Sequence, residues 1–528
     1  MTVIVQPNVD SNGNPQPMVY DSDTGKVIVD HDGYVLNGGQ KLVNVPTKEN
    51  YVSTPVTQTV GWQEAVNYAQ INNINKIVSK SNNKYIISNP IYLNPNGVFT
   101  NPLEIDGQNS LIQISSSNLA LNPIEISNDP NNTTGQPMYP LKLHGFIFDG
   151  NGSTSNSTTI NFNQYGYTGN NPDIMIEIYG NKFQNGSNGN IIVEQQSYTL
   201  SIHDNIFLNV GANGPIFING QNSNCGLFIY ANEFIAGALS VGSNAIGINN
   251  NDTTTSISSP MNNAQIYGNY FGNTSNAPTS NISDAIVCGD PSGAGWNGAI
   301  ISNNIFNLTA GWTDAIVGLG SGVYNINIYN NIFYHGLTTS MQDVRIIGND
   351  IIHTFTVYGN ASIKNNRIII PSTQSSELAL SVNTEDNQYV VIDSNVITQN
   401  STNNTSSIYF SDSSITGSTY IMKNNILNGA WEGIANFPST GVVSEPLSPS
   451  TPSVPASGTA QQNTNPYAVK VYINGGALTE IQIALGSTTY TVYSNSTASA
   501  VYEGFTLPIG ASITLTYSTA PDWVWVSD

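Results

Sequence analysis

A short phrase, Ile-x-x-Asn followed by x and an aliphatic or aromatic residue, recurs along most of the chain, with Met422 in place of isoleucine in the last copy. Its asparagines are Asn181, Asn205, Asn232, Asn269, Asn304, Asn331, Asn349, Asn366, Asn395 and Asn425. Successive copies lie 17 to 37 residues apart, which fits one supersecondary unit per repeat. The phrase therefore predicts a repeat array, whose units bury their apolar faces only against their neighbours.

The residues around each asparagine narrow the kind of array. Ile326 and Ile328 alternate with polar residues as in an extended strand, and the alternation breaks at Asn331. A break requires a turn, and asparagine tolerates the left-handed conformation of tight bends. If each repeat is one coil of a solenoid, the asparagines stack amide on amide around an aliphatic interior. This pattern predicts a right-handed parallel β-helix. Leucine-rich repeats have shorter and more uniform periods, and propellers carry Trp-Asp or glycine-rich signals, which this chain lacks.

Repeats of the type Ile-x-Asn-Asn-x-Ile/Phe resemble those of the pectate-lyase-like superfamily of β-helix proteins, which includes viral tailspike and fibre proteins. The resemblance covers about residues 55 to 435 and implies a fold rather than a function. Trp62, Ala65, Val66 and Ala69 have helical spacing, and strands follow them. This order is similar to the opening of many such proteins, in which a helix caps the first coil. The expected fold class is all-β: a single-stranded right-handed parallel β-helix with an N-terminal helical cap and a small C-terminal antiparallel β-sandwich.

The chain divides into four expected segments. Residues 1–54 carry short apolar pieces between turns and predict a β segment without its own core, used for attachment or oligomerisation. Residues 55–440 form the β-helix, and the Pro/Ser-rich residues 441–464 predict an extended linker. Residues 465–528 alternate strictly and predict the sandwich, with Asn474-Gly475-Gly476 as a hairpin turn. This last module resembles the end domains of archaeal-virus spikes.

Composition restricts the partners. The chain has 13 Lys and Arg against 34 Asp and Glu, a net charge of −21, which disfavours nucleic acid. No apolar run is long enough to span a bilayer, and the first residues lack the features of a secretory signal. Two cysteines cannot build a disulfide framework. Because only 9% of residues are charged, we expect the fold to lose little stability in acid.

The most suggestive site motif is a phrase that occurs twice, as Ser-Asp-Ala-Ile-Val from Ser283 and as Thr-Asp-Ala-Ile-Val from Thr313. If each aspartate begins the same strand of consecutive coils, Asp284 and Asp314 lie on one face. Trp296 and Trp312 are near them in sequence and could bind a glycan. Paired carboxylates with aromatic platforms suit the hydrolysis of glycosidic bonds by acid and base. In the alternative interpretation, each aspartate caps a turn while the Ala and Ile pack inside.

Other chemistries lack support in the sequence. Lyases of the resembled superfamily commonly use a basic residue and calcium, whereas this chain has only Arg345 and Arg367 as arginines, expected on different faces. The histidines show no metal spacing, so no metal and no cofactor are expected. No phosphate loop, nucleophile elbow or zinc signature occurs.

Three functions remain. The first is a non-enzymatic attachment protein, a homotrimeric spike or fibre on the virion surface or another extracellular surface. It would engage a host cell-surface polysaccharide or glycoprotein and be held by other virion proteins. The alternative is a polysaccharide-degrading glycoside hydrolase or lyase, free or mounted on such a spike, using Asp284 and Asp314. A third, weaker hypothesis is an adhesin of a cellular surface layer.

Overall fold

A computed structural model of the chain forms two compact units, residues 1–344 and 345–528. It describes residues 2–6, 18–21, 27–29, 36–37, 40–41, 61–71, 75–79, 81–93, 102–114, 123–125, 140–150, 160–162, 175–186, 191–193, 199–209, 215–218, 226–237, 245–249, 261–274, 284–288, 296–307, 315–318, 323–341, 343–374, 377–383, 388–401, 406–411, 418–428, 433–435, 442–444, 451–465, 468–486, 488–508 and 510–527.

The first unit is built from coils of three short strands, and each strand pairs in parallel with its equivalent in the next coil. Ile178 pairs with Ile202 and Ile202 with Ile229, so the repeated phrases lie in register. The strands before the turn are Lys76–Ser79, Leu103–Ile114, Leu141–Asp149, Met175–Tyr179, Thr199–His203, Leu227–Tyr230, Gln265–Tyr267, Ile300–Ser302 and Asn327–Tyr329. The second and third of these continue through the turn. The parallel β-helix predicted from the phrase is confirmed.

The remaining strands of these coils complete the first unit. Strands after the turn are Lys84–Ile87, Lys182–Gln184, Ile206–Leu208, Glu233–Ala236, Tyr270–Asn273, Ile305–Asn307 and Ile332–Phe333. Third strands are Ile91–Tyr92, Ile124–Glu125, Ile160–Phe162, Ile191–Val193, Ile216–Ile218, Ala245–Asn249, Asp284–Cys288 and Ile316–Gly318. Further strands are Met261–Asn262, Trp296–Asn297 and Leu337–Ser340.

A ladder of buried asparagine side chains runs through each unit. The Oδ1 atom of Asn205 accepts hydrogen bonds from the backbone N–H and the amide of Asn181, at 3.0 and 3.1 Å. The same pair of bonds recurs at each step to Asn331, and again from Asn349 to Asn425. All ten side chains are at most 4% exposed, so the predicted ladder is confirmed.

The turn itself differs from the prediction. The left-handed residue is the one immediately before each ladder asparagine: Gly180, Asp204, Ala231, Gly268, Asn303, Asn330, Gly348, Asn365, Ser394 and Asn424. No ladder asparagine is among the residues with positive φ in the described ranges. The expectation that the ladder asparagine takes this conformation was wrong. The preceding residue bends the chain, and the asparagine then points inward, where its amide satisfies backbone groups.

Phenylalanine rings stack along the interior beside the ladder of the first unit. The stack consists of Phe148, Phe183, Phe207, Phe234, Phe271, Phe306 and Phe333. Ring centroids lie 4.7 to 5.0 Å apart, and every one of these side chains is fully buried. This spacing matches the separation of paired strands, so each coil contributes one ring to a continuous apolar stack.

A helix covers the start of the first coil. The helix is Trp62–Ile71, and the predicted face, Trp62, Ala65, Val66 and Ala69, is at most 1% exposed. The Gln63 amide donates to the Tyr92 carbonyl at 3.0 Å and accepts from its N–H at 2.8 Å. The predicted cap is present and shields an apolar end.

The N-terminal segment pairs with this first coil. Its strands are Thr2–Gln6, Met18–Asp21, Val27–Val29, Leu36–Asn37 and Gln40–Lys41. Thr2–Gln6 pairs in parallel with Lys76–Ser79 and antiparallel with Met18–Asp21. The segment thus finds its packing partner in the sheet of the first coil.

The second unit contains further coils of the same design. Strands before the turn are Val344–Ile347, Ala361–Lys364, Tyr389–Asp393, Thr419–Lys423 and Val442–Ser444; strands after it are Asp350–Ile352, Arg367–Ile370, Val396–Gln399 and Ile426–Asn428. Third strands are Phe355–Tyr358, Leu380–Asn383, Ser406–Phe410 and Gly433–Ala435.

The C-terminal module is antiparallel, as predicted. Its strands are Ala460–Gln462, Val469–Leu485, Thr488–Leu507, Ser512–Thr519 and Asp522–Ser527. Val469–Leu485 runs through Gly475 and Gly476, which both have positive φ and accompany a register shift. The predicted hairpin at this position was wrong; the chain reverses after Leu485, at Gly486. The two glycines form an irregularity in one long strand, both halves of which contribute to a single buried cluster.

The C-terminal module begins earlier than expected. Ala460–Gln462 pairs with Ser512–Thr519 within the module. The indole N–H of Trp523 donates to the Pro452 carbonyl at 2.7 Å, and the Tyr517 hydroxyl donates to the Pro455 carbonyl at 2.6 Å. Proline cannot donate a backbone hydrogen bond, but its carbonyl can accept one. Residues 451–464, expected to be linker, therefore pack on the module.

Candidate functional site

One row of side chains on the outer surface of the first unit follows the strand position that lies two residues before the ladder asparagine in coils that have one. We call it the outer row; its members are Asp106, His144, Tyr179, His203, Tyr230, Tyr267, Ser302 and Tyr329. The backbone register pairs each member with the next, so the row crosses eight strands. Because side chains alternate along a strand, an interior residue such as Ile178 places the next residue, Tyr179, outside.

Five rings of the outer row form one continuous stack. Centroid distances are 4.6 Å from His144 to Tyr179, 5.0 Å to His203, 4.6 Å to Tyr230 and 4.9 Å to Tyr267. The planes of neighbouring rings differ by at most 15°. Stacked rings turn their edges outward, so the surface presents apolar ring atoms together with imidazole nitrogens and phenol hydroxyls.

A charged cluster lies at the N-terminal end of the outer row. Lys76 Nζ is 2.7 Å from Glu104 Oε1, and His144 Nε2 is 3.2 Å from the same oxygen. The hydrogen bond from Lys76, together with His144, holds the pKa of Glu104 below its ordinary value. The same bond raises the pKa of Lys76. Both groups are therefore charged near neutral pH and compensate each other.

The same cluster contains three atoms that could ligate a metal. One ligand atom each from Glu104, Asp106 and His144 lies within 4.8 Å of the others. However, the Lys76 ammonium is also 3.9 Å from Asp106 Oδ2, and the Gln108 amide donates to that oxygen at 2.6 Å. A cation would have to displace Lys76, so these residues fit an internally paired cluster better than a metal site. Sequence reasoning missed the cluster because 40 residues separate Glu104 from His144.

The predicted catalytic pair remains a prediction. Asp284 begins the strand Asp284–Cys288, but its side chain, together with Asp314 and Trp312, lies outside the described residues. Ile286 pairs with Ile316 and Val287 with Val317, which places the later residues of the two phrases on neighbouring coils.

Trp296 does not match its expected role. Its side chain is fully buried within the first unit, so its ring has no face open to a sugar. The expectation that Trp296 binds a glycan was wrong. The platform residues that the structure offers are the tyrosines and histidines of the outer row. All of them except His144 stand two residues before a ladder asparagine, a position that was visible in the sequence.

Arg367 has a structural partner. Its guanidinium donates to both carboxylate oxygens of Asp350, at 2.7 and 3.0 Å, and this pairing lowers the pKa of Asp350. This pairing also raises the pKa of Arg367, so its guanidinium keeps its proton and Arg367 does not act as a base.

The register, the ladder and the outer row define the class of this chain: a parallel β-helix protein with an aromatic row on its outer face. Among solved structures it is similar to a mutant tailspike protein of E. coli bacteriophage HK620 in complex with a pentasaccharide, with 12% identity, coverage of 94% of this chain and 92% of that chain, and a TM-score of 0.49. It is also similar to the A-module of the mannuronan C-5 epimerase AlgE6 of Azotobacter vinelandii, with 14% identity, 74% and 95% coverage and a TM-score of 0.35. A third similar structure is tailspike protein 2 of bacteriophage CBA120, with 10% identity, 98% and 81% coverage and a TM-score of 0.24.

No protein-family model matches the sequence, and no curated protein matches it. Within the described residues, no helix combines the length and apolarity needed to cross a membrane.

Proposed function

We propose that this protein is a spike or fibre on a virion surface that binds host cell-surface glycans without cleaving them. The outer row is the observation that carries the proposal. A sugar ring presents apolar C–H faces and hydroxyl edges, and the outer row offers aromatic carbon next to phenol and imidazole groups. A fixed series of such rings at one-strand spacing suits a polymer with repeated units.

The charge of the chain favours a neutral glycan. The net charge is −21, and Glu104 and Glu177 lie in the strand positions beside the outer row. Lys76 and Lys142 are already paired with these carboxylates, each at 2.7 Å. An anionic surface whose neighbouring cations are paired repels sulfated or phosphorylated polymers.

Glu104 and Asp350 do not supply the proton donor that glycosidic cleavage needs. The pKa values of Glu104 and Asp350 are both lowered by hydrogen bonds from cationic partners. An ionised carboxylate can accept a proton, but glycosidic cleavage also needs a carboxyl group that keeps its proton to donate. Neither group can fill that role at neutral pH.

Glycoside hydrolysis is the second candidate. It is favoured by the aligned Ile-Val portions of the Asp284 and Asp314 phrases on neighbouring coils.

In the proposal that we prefer, the chain is a homotrimer held by other virion proteins, and the virus that carries it infects archaea. A fold stabilised by neutral amides and apolar stacks suits an exposed setting, because neither depends on pH.

The test has two parts. The full chain, labelled and applied to an array of several hundred defined glycans, should bind a neutral subset, and immunogold electron microscopy should place it on the particle exterior. Binding to no glycan, or particles without the chain on their surface, would overturn the proposal. Release of reducing sugar by the parent protein, abolished in Asp284→Asn and Asp314→Asn, would instead establish the hydrolase.

A further inference from the structure

The outer row is interrupted at Ser302. Register places Ser302 directly between Tyr267 and Tyr329 on neighbouring strands. Tyr267 ends the five-ring stack, with Tyr230 on one face at 4.9 Å, and the residue on its other side is only a serine. Tyr267 is 36% exposed. The short side chain leaves a gap one ring thick, which we call the Ser302 notch.

The dimensions of the notch follow from strand spacing. Two steps between paired strands separate Tyr267 from Tyr329 by about 9.6 Å. A ring placed midway would lie about 4.8 Å from each wall. The protein's own rings in this row stack at 4.6 to 5.0 Å, so the notch matches one missing ring.

The surroundings of the notch provide polar and apolar groups. The Tyr329 hydroxyl donates to Asn327 Oδ1 at 2.7 Å, which holds the ring over its own strand. Tyr267 and Tyr329 form the walls of the notch, and Ser302 forms its floor. On the same three strands, two residues earlier, the outward residues are Gln265, Ile300 and Asn327, which pair with one another. Ile300 is 37% exposed. A ring in the notch therefore meets aromatic or aliphatic carbon on its faces and amide or hydroxyl groups at its edges.

We propose that the Ser302 notch binds a single uncharged pyranose residue of the host glycan, sandwiched between Tyr267 and Tyr329. This inference rests on the proposed glycan-binding function and assigns its primary subsite. The C–H groups of a pyranose face carry partial positive charge, and the face of an aromatic ring is its negative region, so both faces of the sugar gain contact. Its hydroxyls reach the Ser302 hydroxyl and the amides of Gln265 and Asn327.

Two other flat ligands fit the gap less well. A nucleotide would bring phosphate toward a chain of net charge −21, which disfavours it. A ring from a second copy of the chain could enter the gap only if this face lay in an interface between copies, and Ser302→Tyr would then change the oligomeric state. An uncharged pyranose brings no phosphate to the surface.

The decisive variants fill or open the notch. Ser302→Tyr adds the missing ring. In calorimetric titration it should lower the affinity for the tightest-binding glycan of the array at least tenfold, while its melting temperature stays at or above that of the parent. Ser302→Ala keeps the notch open and removes only the hydroxyl contact, so it should lose much less affinity than Ser302→Tyr. Tyr267→Ala removes one wall and should also lower the affinity for the glycan at least tenfold. Lys423→Tyr adds a tyrosine at the same repeat position in the second unit and is the matched control, with binding unchanged.

Each outcome decides the matter. If the parent binds a glycan and Ser302→Tyr binds it equally well, the notch is not the subsite, whereas the proposed function stands. If the parent binds no glycan on the array, both fail. If adenosine binds and displaces the glycan, or if Ser302→Tyr changes the oligomeric state instead of sugar affinity, the pyranose assignment is overturned.

Discussion

The asparagine ladder makes a strong prediction at Asn304, in the middle of the first unit. Its amide donates to the Ile266 carbonyl and to Asn331 Oδ1, each at 3.0 Å. Its Oδ1 accepts from the Asn269 backbone N–H at 2.9 Å and from the Asn269 amide at 3.0 Å. The side chain is fully buried, so water cannot replace these four bonds.

Replacing Asn304 with alanine removes all four hydrogen bonds and takes the acceptor from the Asn269 N–H. At about 1 kcal/mol per bond, and a further 1 to 2 kcal/mol for the stranded donor, the unfolding free energy should fall by about 5 kcal/mol. Asn307→Ala is the control, because that side chain is exposed in the same coil and makes one hydrogen bond, to the Tyr270 hydroxyl. Its loss should be below about 1 kcal/mol.

Asn304→Asp tests the mechanism more sharply. The new carboxylate would face two acceptors, the Ile266 carbonyl and Asn331 Oδ1, in a buried site. Its folded-state pKa should rise above the ordinary value of about 3.9. The variant should therefore be most stable below that ordinary value and lose stability as pH rises through the folded pKa.

Equilibrium urea unfolding followed by far-UV circular dichroism, at pH 3 and pH 7, measures these effects. The parent should change little between the two, whereas Asn304→Asp should be clearly less stable at pH 7. If Asn304→Ala costs no more than Asn307→Ala, or if Asn304→Asp is more stable at pH 7, the ladder does not hold the coils as argued.

Three further changes test other parts of the fold. Ala231 has φ of +53°, so Ala231→Gly should raise stability by about 1 kcal/mol in thermal unfolding; a lower melting temperature would contradict the strain argument. Phe271→Ala should cost about 3 to 5 kcal/mol in urea unfolding because it removes a fully buried ring, whereas Phe228→Ala, on the outer side, should cost far less. Lys76→Met should cost at most about 1 kcal/mol at pH 7, because the Glu104 pair is partly exposed. That cost should vanish as pH falls from 4.5 through the lowered folded pKa of Glu104; a loss that is equal at pH 2 would show that packing, not charge, is responsible.

Several features could be predicted from short stretches of sequence. The helix Trp62–Ile71 and its buried face follow from helical spacing alone. The ladder asparagines follow from one repeated phrase, because the alternation of a strand and the conformation of a turn are local properties. The outer row was also within reach, since Tyr179 and Tyr267 stand at one fixed offset from the ladder.

Other features depended on which residues the next coil brings into contact. Trp296 is a residue type that can form a binding platform, yet the fold buries it, because one step along a strand reverses the direction of a side chain. Gly475 and Gly476 carry a hairpin signal, but pairing with strands on both sides keeps their strand continuous. In each case long-range pairing outweighed a local preference.

The amino-acid sequence alone shows that this chain coils, at which repeats it turns, and which aliphatic and phenylalanine positions line the interior. Pairing between coils is what brings Lys76 to Glu104 beside His144, and what leaves a gap between two tyrosines at Ser302. The physical reason is range. Turns and alternation arise from forces between near neighbours in the chain. Stacking and ion pairing depend instead on the register between strands of successive coils, whose ladder asparagines lie 17 to 37 residues apart in the sequence.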